Sequence, residues 1–278
     1  MNPIGPSPWH QASWDWRAAC NFMAGGAGSG LIVCSALAGG QPALLAAGAG
    51  LIALGLFAVW LELGRPWRSW RVVRHGARSW MSREALVAPW VFVAVAAAWF
   101  GVAGASWAAA LLALAFVYCQ GRLLRAAKGI PAWREPLLVP LVAATALAEG
   151  AGAWLLLSAT RAAPAPLWAY FALVLLARLA LWQAWRGRIR TVPRALAAID
   201  AAGLVLKLAT LLPLAAVLVA IASPLGEAGL RVLQVLAGAM ALGGGLWFKY
   251  TLVTRAGFNQ GYALPHLPVR GVPRRQEA

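Results

Sequence analysis

Apolar runs of about 20 residues follow one another along almost the whole chain, and polar residues gather in the short stretches between them. A helix rising ~1.5 Å per residue crosses a ~30 Å hydrocarbon layer in about 20 residues, so each run predicts a membrane span. Residues 18–61 contain no Asp, Glu, Lys or Arg. That is too long for one crossing and right for two, with Gly39, Gly40, Gln41 and Pro42 supplying the turn. Residues 85–121 are likewise free of charge and break near Gly101 to Ser106. The pattern predicts helices at 18–39, 43–63, 84–101, 105–122, 136–159, 165–186, 201–223 and 227–252. The expected fold is therefore all-α: a polytopic membrane bundle of about eight transmembrane helices, with 1–278 forming a single integral membrane domain. An even number of crossings places both termini on one side. The first helix lacks the basic n-region and short h-region of a cleaved signal and is expected to be retained.

Charge refines this picture. Only 12% of the residues are charged, with 24 Lys+Arg against 8 Asp+Glu, whereas a soluble domain carries roughly twice that fraction. The formal charge of +16 does not indicate nucleic acid, because the arginines sit in short loops between apolar spans. Such loops set orientation and attract anionic lipid or an acidic partner. Face one receives the N-terminus, the loops at 65–83, 122–134 and 186–194, and the C-terminus counted from Lys249 onward, with 20 basic residues. Face two receives Arg161 and Arg231, while Arg178 and Lys207 fall within spans. The positive-inside rule then assigns face one, with both termini and the basic loops, to the cytoplasm of a bacterial inner membrane.

The chain offers little redox or nucleotide chemistry of its own. Its three cysteines (Cys20, Cys34, Cys119) form no CxxC pair, and its three histidines (His10, His75, His266) all fall outside the predicted spans. Iron–sulfur ligation needs clustered thiolates, and a haem held within the bilayer needs His on facing helices, so neither bound group is expected. GGAGSG at Gly25–Gly30 lies in an apolar helix, where small residues signal close helix packing rather than a phosphate cradle.

The most informative stretch is LELGRPWRSWRVVRHGARSWMSREAL, from Leu61 to Leu86. Arg65, Arg68, Arg71, Arg74 and Arg78 recur every three or four residues, with Trp67, Trp70 and Trp80 interleaved. Pro66 suits a first helical turn, and the pattern predicts a short interfacial helix with indoles at the headgroup boundary. A solvated topology loop explains the arginines equally well, but not Glu62 and Glu84, set where one span ends and the next begins. Carboxylates there are candidates for proton exchange with a membrane-soluble substrate; salt bridges to nearby arginines are the competing explanation. Three more charges lie deeper. Glu149 sits about 20 Å along the fifth span at ~1.5 Å per residue, and Arg178 and Lys207 lie one to two turns below face one. Charges inside a bilayer mark a pathway or a paired site, although Arg178 and Lys207 can also snorkel to the interface. Glu149 is either protonated and hydrogen-bonded within the bundle or part of a proton route.

Three segments carry a resemblance. ELGRPWRSWRVVRHGARSWMSRE resembles the HLGxPxRxW…SWLSRE segment of membrane-anchor subunits of dimethyl sulfoxide reductase-type complexes, distant relatives of the polysulfide reductase NrfD-type quinone-interacting subunits. GRLLRAAKGIPAWREPLLVP (Gly121 to Pro140) is similar to that family's RxY…IPxW…P segment. WFKYTLVTRAGFNQGYALPHLPVRG (Trp247 to Gly271) resembles the ending of one branch. The opening PWHQASWDWRAACNFMAGGAGSG looks most like the membrane subunit of phenylacetyl-CoA:acceptor oxidoreductase.

The resemblance implies a division of labour. Such an anchor binds an iron–sulfur electron-transfer subunit, which docks a molybdopterin catalytic subunit, and it exchanges electrons with menaquinone or ubiquinone as a diffusible substrate. The family's His and Glu at the quinol site map to Glu62 and Glu84, so the first position departs from the pattern and the second keeps it. Arg65, Arg83 and Trp80 join these as quinone or proton candidates, and Trp14, Trp16 and Trp67 are further candidates to wall the head group. Arg68, Arg71, Arg74, Arg78, Arg122 and Arg125 are docking candidates for the partner. With face one in the cytoplasm, the catalytic partner is expected to work on an intracellular substrate such as an acyl-CoA. A purely structural anchor, a small-solute transporter and a proton pump remain as alternatives; the sequence shows no repeat of the kind expected for a transporter.

Overall fold

The computed structural model describes residues 6–76, 79–160, 162–222 and 225–262, leaving aside the side chains of Pro66, Val73 and His75. Arg78, Arg161 and the tail from Ala263, including His266, lie outside the described residues.

Eight helices are long and apolar enough to span a membrane, which makes the chain a multi-pass, all-α membrane protein. They are α1 (Trp16–Leu37), α2 (Pro42–Glu62), α3 (Trp80–Trp99), α4 (Ala105–Ala126), α6 (Leu138–Leu157), α7 (Ala165–Arg188), α8 (Pro193–Ala222) and α9 (Glu227–Thr254). A 3-10 segment (Pro66–His75) precedes α3, and a one-turn helix, α5 (Pro131–Arg134), precedes α6.

Local chemistry sets the helix starts. The Asp15 side chain caps α1 by accepting from the Arg17 amide at 2.8 Å, and the Ser79 hydroxyl caps α3. Proline opens α2 and α8 with φ already preset for a helix. Gly39 and Gly40 both take positive φ in the α1–α2 turn, a backbone region open to glycine at little steric cost. Two starts differ from the sequence expectation. Helix α3 begins at Trp80 rather than 84, which places Glu84 inside its second turn. Helix α8 begins at Pro193 rather than 201, and Asp200, two turns into it, pairs with Arg186 of α7 through bonds of 2.5 and 2.7 Å, so its charge is satisfied within the helix.

Neighbour relations divide the molecule into two four-helix rings. Helices α1 to α4 pack in order and close through α1 on α4; α6 to α9 do the same through α6 on α9. The rings meet through α1 on α6, α4 on α6 and α1 on α9. Both rings begin at the same face, so the repeat in helix order is parallel rather than inverted. The two first helices form the centre, 78% and 83% buried over their apolar windows, whereas the other six are 33–50% buried. In a bilayer the outer helices spend their apolar surface on lipid, so tight contact between helices comes from small residues. Gly30 lies directly against Ala146 and Gly150, and a Cβ on Gly152 would sit 2.6 Å from the Gly238 carbonyl. The GGAGSG run serves close packing.

The segment before α1 and the segment after α9 meet at face one. Gln11 donates its amide to Gly257 O at 2.8 Å, Asn259 donates to Trp9 O at 3.0 Å, and Gln260 donates to Gly129 O at 3.1 Å. Trp133, buried in the loop before α6, donates its indole N–H to Leu252 O at 3.0 Å. These bonds tie the N-terminal segment, the α4–α6 loop and the segment after α9 into one platform.

Candidate functional site

A cavity of about 660 Å³ opens at face one within the first ring. Its walls come from the start of α1 (Ala18, Asn21, Phe22), the end of α2 (Val59, Trp60), the start of α3 (Met81, Glu84, Ala85) and Leu123 of α4. Trp14 closes one side, held by its amide bond to Gln11 Oε1 at 2.7 Å and by stacking on Phe22 and Trp133. The 3-10 segment roofs the opening with Arg68, Ser69 and Val72, next to Glu62 and Arg65. The volume falls within the ~300–1,000 Å³ range of small-molecule sites, which combine apolar walls with a few convergent polar groups.

Glu84 is the deepest charged group in this cavity, only 3% exposed. Its Oε1 accepts from Asn21 Nδ2 at 2.9 Å and from Gln120 Nε2 at 3.4 Å, and Gln120 also donates to the Asn21 main-chain carbonyl at 2.8 Å. Oε2 takes none of these bonds, and it is not among the atoms sealed off from the surface without a partner. The carboxylate is thus held by one oxygen and offers the other to the cavity. Both donors are neutral amides, and among the described residues no Lys or Arg ion-pairs with it. Salt bridging therefore does not explain Glu84.

Glu62 is half-buried at the rim. Arg17 reaches it from α1, donating to Leu61 O at 3.3 Å while its Nη2 pairs with Asp15 at 2.8 Å. That side-chain bond from Arg17 holds the Asp15 carboxyl below the usual carboxylate range.

Of the quinone or proton candidates, Glu62, Arg65 and Glu84 line one cavity, and so does Arg68, read from the sequence as a docking residue. Trp80 and Arg83 do not line it. Arg83 stacks on the Trp80 ring with its guanidinium carbon 4.1 Å from the centroid, and donates to Gly76 O at 2.8 Å. A helix turns ~100° per residue, so neighbours of a cavity-facing residue point elsewhere. Trp16 and Trp67 are 59% and 83% exposed and lie outside the lining. Arg71 and Arg74 are exposed on the 3-10 segment and stack on Trp70. Arg122 and Arg125 lie half-buried at the end of α4. Asn21, Trp60 and Gln120 are not apparent as site residues from the sequence; for Asn21 and Gln120 the available signal is a polar amide inside an otherwise apolar span.

The second ring holds a different polar site. Glu149 Oε2 accepts from Lys249 Nζ at 2.6 Å, with both side chains no more than 1% exposed. This corrects the placement of Lys249 in the face-one tail; it lies inside α9 and bridges to α6. Arg178 is fully buried and does not snorkel. It donates to Thr210 Oγ1 at 2.7 Å, Ala209 O at 2.6 Å and Ala241 O at 3.0 Å. Lys207, in contrast, stacks on Trp182 at 4.9 Å and stays half-buried. Glu149, Lys249 and Arg178 do not line the face-one cavity, and Glu149 Oε1 is sealed in without a hydrogen-bond partner among the described residues.

Among the described residues no group of three or more His, Cys, Asp or Glu side chains converges as a metal site would require. Compared with known proteins, the chain matches no family model and no curated protein.

Proposed function

We propose that the face-one cavity is a quinone/quinol site and that the chain is the membrane anchor of a molybdopterin oxidoreductase complex. In this reading it passes electrons between a partner iron–sulfur subunit and the quinone pool. The observation that carries it is Glu84: a buried carboxylate with one oxygen fixed by two amides and the other facing an aromatic-walled cavity at a membrane boundary. A quinone that gains two electrons takes up two protons, so its site needs a group able to hold and release a proton at the ring oxygen. Glu84 Oε2 fills that role within the cavity, and Glu62 at the rim exchanges protons with water. Trp14, Phe22 and Trp60 supply flat apolar surface for the ring, and Arg65 and Arg68 supply donors at the outer end. The electrons come from, or go to, the partner's clusters.

The motif resemblance and the position of both carboxylates in one cavity support the same reading. The excess of basic residues on face one supports a cytoplasmic orientation in a bacterial inner membrane. A catalytic partner on that side would act on an intracellular substrate, and an acyl-CoA fits.

The test uses the full chain in lipid nanodiscs titrated with a short-chain ubiquinone or menaquinone analogue, read by quenching of tryptophan fluorescence. Glu84→Gln is expected to weaken binding of the quinol form about tenfold, the loss of one charge-assisted bond of ~1.5 kcal/mol. Unchanged binding in a folded Glu84→Gln protein contradicts the proposal and leaves a structural anchor.

A further inference from the structure

Trp80 and Arg83 belong to the motif around Glu84, yet they sit outside the cavity. What surrounds them is a second, cationic site. The Arg83 guanidinium carbon lies 4.1 Å from the Trp80 ring centroid, and the Arg122 guanidinium carbon lies 4.3 Å from the same centroid. Both guanidiniums thus lie against one ring. Arg122 also donates to the Tyr118 hydroxyl at 2.6 Å and stacks over the Tyr118 ring at 5.6 Å. The Tyr118 ring in turn meets Trp80 edge-on at 5.7 Å. Stacking orders the Arg122 guanidinium without neutralising it, and the ion pairs among the described residues give it no carboxylate.

The surface below this group fixes the kind of ligand. On α4, Tyr118, Leu114 and Leu111 lie at successive turns on the same side as Arg122, and they are 45%, 39% and 68% exposed. On α3, which packs against α4, Leu86 and Trp90 continue below Arg83 and are 44% and 62% exposed. These apolar stripes lead down into the bilayer from a pair of ordered cations at its boundary. Cations at the headgroup level above exposed apolar helix surface match an amphiphile with an anionic head and acyl chains.

We propose that Arg83, Arg122 and Tyr118, arranged around Trp80, hold the phosphate of an anionic phospholipid whose chains run along the outer faces of α3 and α4. Arg122 is the principal ligand, because its planar fork, oriented by two aromatic rings, presents paired donors to phosphate oxygens. The site is separate from the cavity, on a different side of α3, and does not depend on the quinone reading.

Native mass spectrometry of the full chain, delipidated in detergent and then offered phosphatidylglycerol or phosphatidylcholine, tests this. The expected result is retained phosphatidylglycerol adducts that fall about tenfold in Arg122→Gln, with phosphatidylcholine adducts few and unchanged. Arg122→Lys keeps the charge but loses the planar fork, and should fall between the two. Arg125→Gln, which removes a cation from the same helix end outside the stack, should leave the adducts unchanged. Equal retention of both lipids, or an equal loss in Arg125→Gln, overturns the proposal. Displacement of the adducts by millimolar inorganic phosphate would assign the site to free phosphate instead. An Arg122→Gln protein that keeps its lipid but loses a co-purifying acidic subunit would show a protein-docking site and equally overturn it.

Discussion

Each ring of this bundle buries one glutamate against helices from its own half, and the two are solved in opposite ways. Glu149 is matched to a cation: Lys249 reaches it at 2.6 Å, and its second oxygen is sealed in. Glu84 has no ion-pair partner among the described residues; two amides hold one oxygen, and the other faces a cavity. A buried ion pair ties each charge to the other, and parting them to serve a ligand is costly. A buried carboxylate held by neutral donors can change protonation without breaking an ion pair, which is what a proton-coupled ligand needs. The charged cluster joins α6 to α9, and the polar one is the site proposed above to take a ligand. On this reading Glu149 is not a proton route but a clasp between α6 and α9.

Several substitutions break or sharpen that contrast. The largest effect is expected at Glu149→Gln, which leaves Lys249 buried without its counter-charge. Removing one partner of a buried pair costs about 3–5 kcal/mol, so thermal unfolding in detergent should show a strong loss, partly recovered by adding Lys249→Met. If Glu149→Gln melts like the parent, the clasp assignment fails. Gly150→Ala comes next, since a methyl there collides with the Gly30 backbone at the junction of the two rings. Overpacking of this kind costs about 1–3 kcal/mol, and size-exclusion and melting profiles should show it while the cavity residues are untouched. Glu84→Gln follows, with its cost in quinol binding and little change in melting. The smallest effect belongs to Gln120→Leu, which removes the longer of two bonds to Glu84 Oε1. It should weaken quinol binding by about threefold, the scale of a neutral bond worth ~0.5–1 kcal/mol. A loss as large as that of Glu84→Gln would mean that Gln120 touches the ligand itself.

Much of the fold was legible because it is written locally. A span is a run of apolar residues, and the charge-free stretches at 18–61 and 85–121 hold the four helices of the first ring without help from elsewhere in the chain. The helix starts at Trp80 and Pro193 were harder, because Arg83, Glu84, Arg194 and Asp200 made the first turns look like loop. Counting charges assigned Lys249 to a tail for the same reason. A lysine next to its partner in space but 100 positions away in sequence cannot be told from a solvated one. The cavity shows both cases. Glu62, Arg65 and Glu84 were visible as charges at the ends of spans, whereas Asn21 and Gln120, 99 positions apart, acquire meaning only when α1 and α4 meet beside Glu84. Trp80 and Arg83 show the reverse: adjacency in sequence suggested a shared lining, and the helical turn places both outside it.

The most direct measurement of the central claim is photoaffinity labelling of the full chain in nanodiscs with an azido-quinone, followed by mapping of the labelled peptides. The account predicts label on the segments bearing Asn21 and Phe22, Trp60, and Met81 to Ala85, displaced by excess unlabelled quinone and sharply reduced in Glu84→Gln. Label confined to the second ring, or spread over the lipid-facing helices and insensitive to competition, would contradict it.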